Sequence, residues 1–580
     1  MPRAQYVGYT ATPFANVFID LNDQQSLFPK DFVVGLKRPW GYMGASDFSD
    51  VAIDFGDDEA SKNDPRRSNR AAFVRDLRAD PTDPEARRVE LQQALDTFVL
   101  VGAIKMYRFS KDPELTFRHH TMMVHESVRN AQQLSVADEV KAIWRESGYS
   151  TAAGFNRLRK IFNEDIRSVS EARIEAGVPN VTNFDDLKDH IGNCVQRIEE
   201  HEGNPVLVVN GDRDIQQQRL DFDAGSVWRV LVGGTKLSRG FTVEGLTVTY
   251  YRRTTTMHDT LTQAGRWFGF RHGYSDLVRL FIGREENFGK KKLDLLKAFD
   301  AIVEDEEEFR GQLRKYSVLV DGRPQMRPID IPPIVSQHLF WLKPTAPNKM
   351  FNAVLTEQRD PEFGLDGHPK GKGALQDNLK LWEPLLKDLG ESVHLLQTNS
   401  TSTTFAARCA IVKYEQVLSL LEQHAWLSSE YKESVVDPRL AFLRTLVGSV
   451  DDFAIISPQV TSGAVEDFPG IGLMPVVQRQ RRFERGDVMG EPTDPKHRGP
   501  AQTIAAGLSG KDPVLDFLIA PRRGALLVYV MQDTSSPTVA TRIVGFRIFL
   551  PLTTLAPGGR VVRFRARRPK SKKAVVDKVD

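Results

Sequence analysis

Residues 228–251, WRVLVGGTKLSRGFTVEGLTVTYY, decide the fold that this sequence predicts. Two short runs rich in β-branched and aromatic residues, 228–232 and 246–251, flank a polar stretch that contains glycines. Apolar runs of this length are typical of strands that are buried on both faces of a sheet. The polar stretch therefore follows the end of a buried strand, at the edge of the sheet where α/β proteins bind ligands.

The same alternation continues on both sides of that stretch. We predict further strands at 121–125, 205–209 and 277–282. Helical patterns occupy the intervals between strands, at 127–146, 216–222 and 258–268. Strands that alternate with helices favour a parallel sheet covered by helices, with binding residues at the carboxyl ends of the strands.

The flanking regions have other patterns. Helices are predicted at 89–107, before most of the sheet, and at 288–316, after it. Residues 350–450 have a mostly helical pattern, and predicted strands dominate after Ile455. At the beginning of the chain, residues 5–9 are predicted to form a buried strand. We therefore expect an α/β domain, then a helical region, then a β-rich region.

Composition restricts the class of protein. The chain has 580 residues, of which 41% are hydrophobic and 27% charged, as in ordinary globular domains. A formal net charge of +2 gives no general electrostatic reason to bind nucleic acid, so any such surface must be local. The two cysteines, Cys194 and Cys409, cannot form a disulfide framework and fit a reducing cytoplasm. No stretch approaches the roughly 18 apolar residues that cross a bilayer, so we expect a cytoplasmic protein with no membrane partner.

A series of short motifs extends through the predicted sheet in a fixed order. Its members are Asn210-Gly211, Arg219, Phe222, Gly225, 230–232 (VLV), 238–246 (SRGFTVEGL) and 263–266 (QAGR). The series resembles, from end to end, the second RecA-like domain of superfamily-2 helicases. The resemblance implies a RecA-like parallel sheet of the helicase C-terminal type.

The same resemblance implies catalytic roles for Gln263, Arg266 and Arg271. Phosphoryl transfer spreads negative charge over the γ-phosphate oxygens, and an arginine placed there is worth roughly 10³–10⁵ in rate. Here Gln263 and Arg266 are one residue closer than in most helicases, and the second arginine is displaced to Arg271. The alternative interpretation is that both arginines pair with carboxylates on a helix face.

Two further groups of residues follow from the resemblance. Gly240, Glu244 and Gly265 are expected to contact the nucleotide, and Thr242 replaces the aspartate that helicases have in this loop. The residues expected to contact nucleic acid follow predicted strands and are His125, Ser127, Lys236, Ser238 and Arg239. A glycine such as Gly240 permits a tight turn, so the loop can face both the nucleotide and the nucleic-acid backbone.

The N-terminal string 9–14, YTATPF, resembles the Ser/Thr-Ala-Thr motif that ends the first RecA-like domain of these helicases. That motif couples hydrolysis to nucleic-acid binding, which implies contacts with nucleic acid from Thr10 and Thr12. Hydroxyl groups on such a turn can bond to the backbone or to a neighbouring carboxylate. On the triplet alone, an ordinary turn is an equally good interpretation.

Longer strings are similar to the Z1-domain family. They are 6–16 (YVGYTATPFAN), 27–32 (LFPKDF), 42–44 (YMG), 233–240 (GGTKLSRG), 265–271 (GRWFGFR), 348–350 (NKM) and 521–529 (PRRGALLVY). Members of that family resemble superfamily-2 ATPases, are often labelled endonucleases and are placed with prokaryotic restriction and phage-defence systems. The resemblance implies a DNA-dependent ATPase or translocase. An endonuclease and a non-enzymatic DNA-binding scaffold are the two alternatives.

The resemblance divides the chain into six segments. They are a remnant of a first RecA-like domain (1–20), an insertion or linker with a helix (21–100), the second RecA-like domain (101–290), a mainly helical region (291–455), a β-rich C-terminal domain (456–570) and the end of a basic tail (571–580).

The string GxxxxGK[ST], which cradles phosphates in such ATPases, does not occur in the sequence. Family members have that loop in an N-terminal domain, so we expect this chain to be truncated and inactive as an ATPase alone. ATP and Mg²⁺ would bind only together with that domain. The expected partners are DNA and a separately encoded N-terminal ATPase half or other defence-system subunits. No metal ligands are predicted, because His119, His120 and His125 have no carboxylate or cysteine at ligand spacing.

Overall fold

The computed structural model describes residues 6–21, 27–56, 58–127, 129–200, 203–209, 222–223, 225–234, 243–320, 322–460, 464–490, 494–508, 514–535, 542–554 and 560–567. The chain divides into two units. Unit 1 comprises Met1–Ile19, Asp23–Pro333 and Trp341–Phe351, and unit 2 comprises Asp20–Asn22, Ile334–Phe340 and Asn352–Asp580. The finer division into six segments stays a prediction.

Unit 1 contains a six-stranded parallel sheet. Its strands, in chain order, are β1 (Val74–Leu77), β2 (His120–His125), β3 (Val206–Val209), β4 (Trp228–Gly233), β5 (Leu246–Tyr251) and β6 (Arg279–Gly283). They lie side by side in the order β1-β6-β5-β2-β4-β3, and every neighbouring pair is parallel. The predicted parallel α/β sheet is confirmed.

The middle of the sheet is buried on both faces. Every residue of β2, β4, β5 and β6 is buried. In register, Met122 of β2 pairs with Val230 of β4 on one side and with Val248 of β5 on the other. Burial on both faces explains why these strands are continuous apolar runs in the sequence.

Helices cover the sheet of unit 1. They are α1 (Pro84–Lys111), α2 (Asn130–Glu146), α3 (Ala152–Ile161), α4 (Arg167–Arg173), α5 (Lys188–Ile198), α6 (His258–Ala264) and α7 (Leu295–Tyr316). The longest, α1, begins with Pro84 after Asp83, whose carboxylate accepts a hydrogen bond from the Ala86 N–H at 3.0 Å. Both residues are favoured at a helix start. Phe98 of α1 belongs to the same buried core as Val230 and Val248, so α1 packs on the sheet.

A buried ion pair joins α1 to the segment before β6. The guanidinium of Arg108 donates to both carboxylate oxygens of Asp276, at 2.8 and 2.7 Å, and the Ser170 hydroxyl donates to Asp276 Oδ2 at 2.6 Å. Arg108 and Asp276 are both almost fully buried. Removing one partner of such a pair costs about 3–5 kcal/mol, because the other charge stays buried and unpaired.

Two local predictions in unit 1 were wrong. Residues 6–9 form no strand, and the side chains of Tyr6 and Tyr9 are 70% and 88% exposed. A strand needs a hydrogen-bonded neighbour, and no described strand pairs with these residues. The helix predicted at 258–268 ends at Ala264, where Gly265 caps it. Of the helix predicted at 216–222, only Phe222 lies within the described residues.

Unit 2 is organised around an eight-stranded, mostly antiparallel sheet in the order β9-β16-β15-β12-β11-β10, with β14 beside β15 and β13 beside β14. A three-stranded antiparallel sheet has the order β7-β17-β8. The strands are β7 (Val335–Gln337), β8 (Ala353–Arg359), β9 (Glu362–Gly364), β10 (Ser392–Leu396), β11 (Thr404–Lys413), β12 (Asp452–Pro458), β13 (Ala464–Phe468), β14 (Gly472–Arg479), β15 (Arg523–Asp533), β16 (Arg542–Phe549) and β17 (Val561–Ala566). The main helices are α8 (Lys372–Lys387), α9 (Tyr414–Gln423), α10 (Asp437–Thr445) and α11 (Arg498–Ala506).

The predicted β-rich character after residue 455 is confirmed by β13–β17, but the mostly helical pattern predicted for 350–450 was wrong. That region contains β8–β11 in addition to helices. Pairing with strands that come much later in the chain holds these segments extended: β8 pairs with β17, and β9 pairs with β16. Such pairing overrides local helical preference.

Within the described ranges, no helix is long and apolar enough to cross a membrane.

Candidate functional site

The carboxyl ends of three neighbouring strands in unit 1 form one edge of the sheet. His125 ends β2, Gly233 ends β4 and Tyr251 ends β5, and β2 lies between the other two. Loops that leave neighbouring parallel strands at this edge are the usual binding elements of α/β proteins. Two of the residues predicted from the sequence, His125 and Ser127, lie at this edge.

Ser127 lies in a loop whose contacts are mainly internal. Its hydroxyl donates to Gln132 Oε1 and accepts from the Arg129 N–H at 3.1 Å. Its carbonyl accepts from Gln133 Nε2 at 3.0 Å. A Cβ atom at Gly234 would lie 2.2 Å from the same Gln133 nitrogen. The loop after β2 thus packs directly against Gly234, and the absence of a side chain at Gly234 permits the approach.

His125 is buried, and its ring does not face solvent. Its Nε2 accepts from the Arg253 guanidinium at 3.2 Å, and its ring meets Tyr251 edge-on with centroids 5.4 Å apart. Burial, with a smaller effect of the Arg253 charge, lowers the pKa of His125 to about 3. His125 is therefore neutral at physiological pH, and it positions Arg253 at the end of β5.

The N-terminal turn contacts α6. The Thr10 hydroxyl accepts from the Thr12 N–H at 3.0 Å, and the Thr12 hydroxyl accepts from Gln263 Nε2 at 3.3 Å. The short helix that follows, Phe14–Val17, places Phe14 against His258 of α6, with ring centroids 4.6 Å apart. The structure thus brings together Thr12 and Gln263, which the sequence predicted separately.

The residues after α6 form a loop that is stabilised by aromatic packing. A Cβ atom at Gly265 would lie 2.5 Å from the Phe268 ring, so this position tolerates only glycine without a shift. Phe268 in turn packs on Phe48 and Phe299. Gln263 and Gly265 lie at the end of α6, and the close approach of Gly265 in the folded chain is to Phe268.

The same loop pairs with a distant short strand. Gly269–Phe270 is antiparallel to Tyr42–Met43, and the rings of Tyr42 and Phe270 meet with centroids 5.3 Å apart. Two of the strings that carry the family resemblance, 42–44 and 265–271, therefore come together in the fold.

Arg266 and Arg271 occupy different environments. Arg266 is half-buried, and burial lowers its pKa. Arg271 is only 6% exposed. Its guanidinium donates to the backbone carbonyls of Phe270, Arg266, Trp267 and Phe268, at 3.0, 3.3, 3.4 and 3.2 Å. In this arrangement Arg271 holds the loop that contains Arg266.

Glu244 lies at the other end of the strands. It precedes β5, and its half-exposed carboxylate is 3.4 Å from His119 Nε2, just before β2. Its carbonyl accepts from the Thr121 hydroxyl at 2.8 Å. Glu244 therefore borders the amino edge of the sheet, whereas His125 and Ser127 border the carboxyl edge.

The remaining predicted site residues lie outside the described part of the chain. They are Lys236, Ser238, Arg239 and Gly240. The predicted proximity of Arg239 to Gln263 and Arg266 stays a prediction.

Sequence reasoning missed a charged cluster at the carboxyl edge. Arg252, buried directly after β5, donates to Tyr250 Oη at 2.9 Å, to Glu286 at 2.6 Å and to Glu90. Burial raises the pKa of Glu286 to about 7, although Arg252 opposes that shift. The signal in the sequence was the arginine pair 252–253 immediately after an apolar strand. Among the described residues, no group of three or more histidine, cysteine or carboxylate side chains is arranged to hold a metal ion.

The family model described as the Z1 domain matches residues 90–341, which include β2–β6 and every candidate site residue except Thr10 and Thr12. The resemblance to Z1 domains inferred from the sequence is confirmed over these residues. Neither a curated protein nor a solved structure matches the chain.

Proposed function

We propose that this chain is a helicase-like, DNA-dependent ATPase or translocase component of a prokaryotic restriction or phage-defence system. One observation carries the proposal: Gln263 donates to Thr12 at 3.3 Å. In superfamily-2 helicases, the Thr-Ala-Thr segment couples hydrolysis to nucleic-acid binding, and the glutamine–arginine string belongs to the ATPase site. A direct bond between the two segments is the connection that such coupling requires.

Arg266 is the residue to which we assign transition-state stabilisation. It lies three residues after Gln263 and is half-buried. Partial burial strengthens its interaction with the charge that develops on a γ-phosphate, because the local dielectric constant is lower than in water. Arg271 acts as a positioning residue, since its guanidinium holds four carbonyls of the loop that contains Arg266.

ATP and Mg²⁺ need a phosphate cradle in addition to arginines. In P-loop ATPases, a backbone nest and a lysine hold the phosphates, and a hydroxyl holds Mg²⁺. We propose that a first, N-terminal RecA-like domain supplies this cradle, with a separately encoded ATPase half as the candidate partner. A RecA-like assignment for unit 1 is part of the same proposal, and it is supported by the parallel order β1-β6-β5-β2-β4-β3.

The test combines the purified chain with a protein from the same genomic neighbourhood that has a phosphate-binding loop. ATP hydrolysis is measured with and without duplex DNA. We expect DNA to raise turnover to about 1 s⁻¹ or more, an ordinary enzyme rate. Arg266→Ala should abolish the increase, whereas Arg145→Ala, on the exposed face of α2, should leave it unchanged. DNA binding without hydrolysis would contradict the proposal, and metal-dependent nicking of plasmid without hydrolysis would favour an endonuclease.

A further inference from the structure

A cavity of about 220 Å³ opens at the amino edge of the parallel sheet, at the opposite end of the strands from His125 and Ser127. Arg118, just before β2, and Trp228, the first residue of β4, line it together with Lys105 of α1 and Arg197 of α5. All of these residues belong to unit 1. The cavity is therefore separate from the edge to which the proposed function assigns ATP.

The charged groups that line the cavity are all cations. Lys105, Arg118 and Arg197 are among the lining residues, and no carboxylate in the described part of the chain is. The Arg197 guanidinium donates to the Ser226 hydroxyl at 3.0 Å, and Arg118 donates to the Asp223 carbonyl, so neutral groups take these bonds. A cavity with this lining attracts an anion.

Lys105 is the most unusual of the three cations, because it is fully buried. Its ammonium group donates to the His119 carbonyl at 2.8 Å and lies 4.2 Å from the centre of the Tyr274 ring. No carboxylate among the described residues pairs with it. A lysine ammonium has three donors, and the His119 carbonyl takes one of them; its charge adds to the charges of Arg118 and Arg197 at the cavity. Burial also lowers the pKa of Lys105 well below its usual range, a cost that a bound anion would offset.

Trp228 supplies a second unused donor. Its indole N–H is buried and has no hydrogen-bond partner among the described residues. Arg197 lies over the indole ring, with its guanidinium carbon 4.4 Å from the ring centre. The other walls include the rings of Phe117 and Phe109, and the Phe109 side chain is half-exposed. The cavity therefore combines cations, a free donor and flat apolar walls.

We propose that this cavity binds a small organic anion that carries a flat ring, such as a nucleoside monophosphate or an aromatic carboxylate. The anionic group would pair with Arg118 and Arg197, the fully buried Lys105 would add its charge from behind the cavity wall, and the ring would pack on Phe117 and Phe109. The volume of about 220 Å³ is below the ~300–1,000 Å³ of pockets for drug-sized ligands, so the ligand is small. The proposal does not depend on the ATPase function.

The test is calorimetric titration of the whole chain with three probes: AMP, benzoate and inorganic phosphate. We expect AMP or benzoate to bind with a Kd below about 1 mM and inorganic phosphate to bind at least about tenfold more weakly. The class of the ligand follows from which of the two ring-bearing anions, AMP or benzoate, binds to the chain. The proposal would be overturned if neither AMP nor benzoate showed saturable binding up to about 10 mM, or if inorganic phosphate bound as tightly as they do.

Two variants locate the binding in the cavity. Lys105→Met removes the ammonium and keeps the length of the side chain, and Arg197→Gln serves as a second variant if the first does not fold. Each should weaken binding by about tenfold or more, because each removes a positive charge from the wall of the cavity. Lys111→Met is the matched control on α1, since Lys111 is exposed and does not line the cavity. Unchanged affinity in both cavity variants would place the ligand elsewhere and refute the assignment.

Discussion

The side-chain amide of Gln263 donates to the hydroxyl of Thr12 at 3.3 Å, although the two residues are 251 positions apart in the chain. The Thr12 N–H is itself held by the Thr10 hydroxyl at 3.0 Å. One turn further on, Phe14 packs on His258, in the first turn of the helix that contains Gln263. The N-terminal turn is thus fixed to α6 by a polar and an aromatic contact, and this pairing makes a coupling between them testable.

A double-mutant cycle with Thr12→Val and Gln263→Leu should give a coupling energy of about 0.5–1 kcal/mol in urea unfolding. The reason is that each single change removes the same hydrogen bond, so the second loss costs less than the first. Thr260→Val is the control, because its hydroxyl lies on α6 but contacts only Asp259 among the described residues. Its effect should add to that of Thr12→Val. Simple additivity of Thr12→Val and Gln263→Leu would show that the two side chains do not interact in solution.

Gly265→Ala should destabilise unit 1 by about 1–3 kcal/mol. The new Cβ atom would lie 2.5 Å from the Phe268 ring, which must then move against Phe48 and Phe299. Gly311→Ala is the matched control, because Gly311 lies in α7 and its Cβ atom would meet no atom within 4 Å. That change should stabilise the protein by about 0.5–1 kcal/mol through helix propensity. Thermal or urea unfolding measures both, and an equal effect of the two changes would contradict the packing described here.

The free energy of unfolding should fall as the pH is lowered, and the protonation of His125 should account for a measurable part of that decrease. Burial lowers its folded-state pKa to about 3, while an unfolded histidine has a pKa of about 6.5. The unfolded chain therefore binds the proton first, so the stabilisation is present above pH 6.5 and is lost as pH falls toward 3. Between pH 7.5 and 5.5, one such histidine accounts for about 1 kcal/mol.

The variant His125→Phe measures the contribution of His125 to this pH dependence, because it keeps a ring against Tyr251 and removes the titrating group. The pH dependence between 7.5 and 5.5 should become weaker by about 1 kcal/mol. Buried His258, whose pKa is also lowered to about 3, remains as an internal reference for the direction of the effect. An unchanged pH dependence in the variant would mean that His125 is protonated equally easily in both states.

Five of the six strands of the parallel sheet, β2–β6, could be predicted because they are apolar runs. The strand β1 was not predicted, since Arg75 and Asp76 interrupt its buried residues. Val230 and Val248, for example, lie in strands that are buried on both faces. Polar and apolar residues therefore do not alternate along these strands. The end of α6 could not be predicted in this way. Its loop is held by the Phe268 ring and by the Arg271 guanidinium, both of which act through contacts made only in the folded chain. A helical pattern that continues to Phe268 contains no local signal for those contacts.

The candidate site was predicted as a set of residue types, and its geometry was not. The sequence predicted Gln263 and Arg266 as one group and Thr12 as a member of another, and in the structure Gln263 contacts Thr12. It did not indicate that Arg271 would be buried against four carbonyls, or that Arg252 would connect Glu90 and Glu286. Arginines in a motif carry the same charge whether they serve a ligand or the backbone, and only the folded surroundings separate the two roles.

Arg266 and Arg271 should therefore respond differently to the same substitution. Arg271→Met should lower the free energy of unfolding by about 2–3 kcal/mol, since several buried carbonyls lose their donor at once. Arg266→Met should lower the free energy of unfolding by less than about 1 kcal/mol, because Arg266 is only half-buried and its loss leaves the bonds from Arg271 to the carbonyls intact.

In an assembly that hydrolyses ATP, Arg266→Met should instead have the larger effect. It should lower turnover by about 10³ or more while nucleotide binding persists, because the charge of Arg266 is needed most in the transition state. Urea unfolding and steady-state turnover, measured for both variants, distinguish the positioning role of Arg271 from the catalytic role of Arg266. If Arg271→Met were stable and inactive while Arg266→Met kept turnover within about threefold, far from the 10³ expected of a catalytic arginine, the two roles would have to be exchanged.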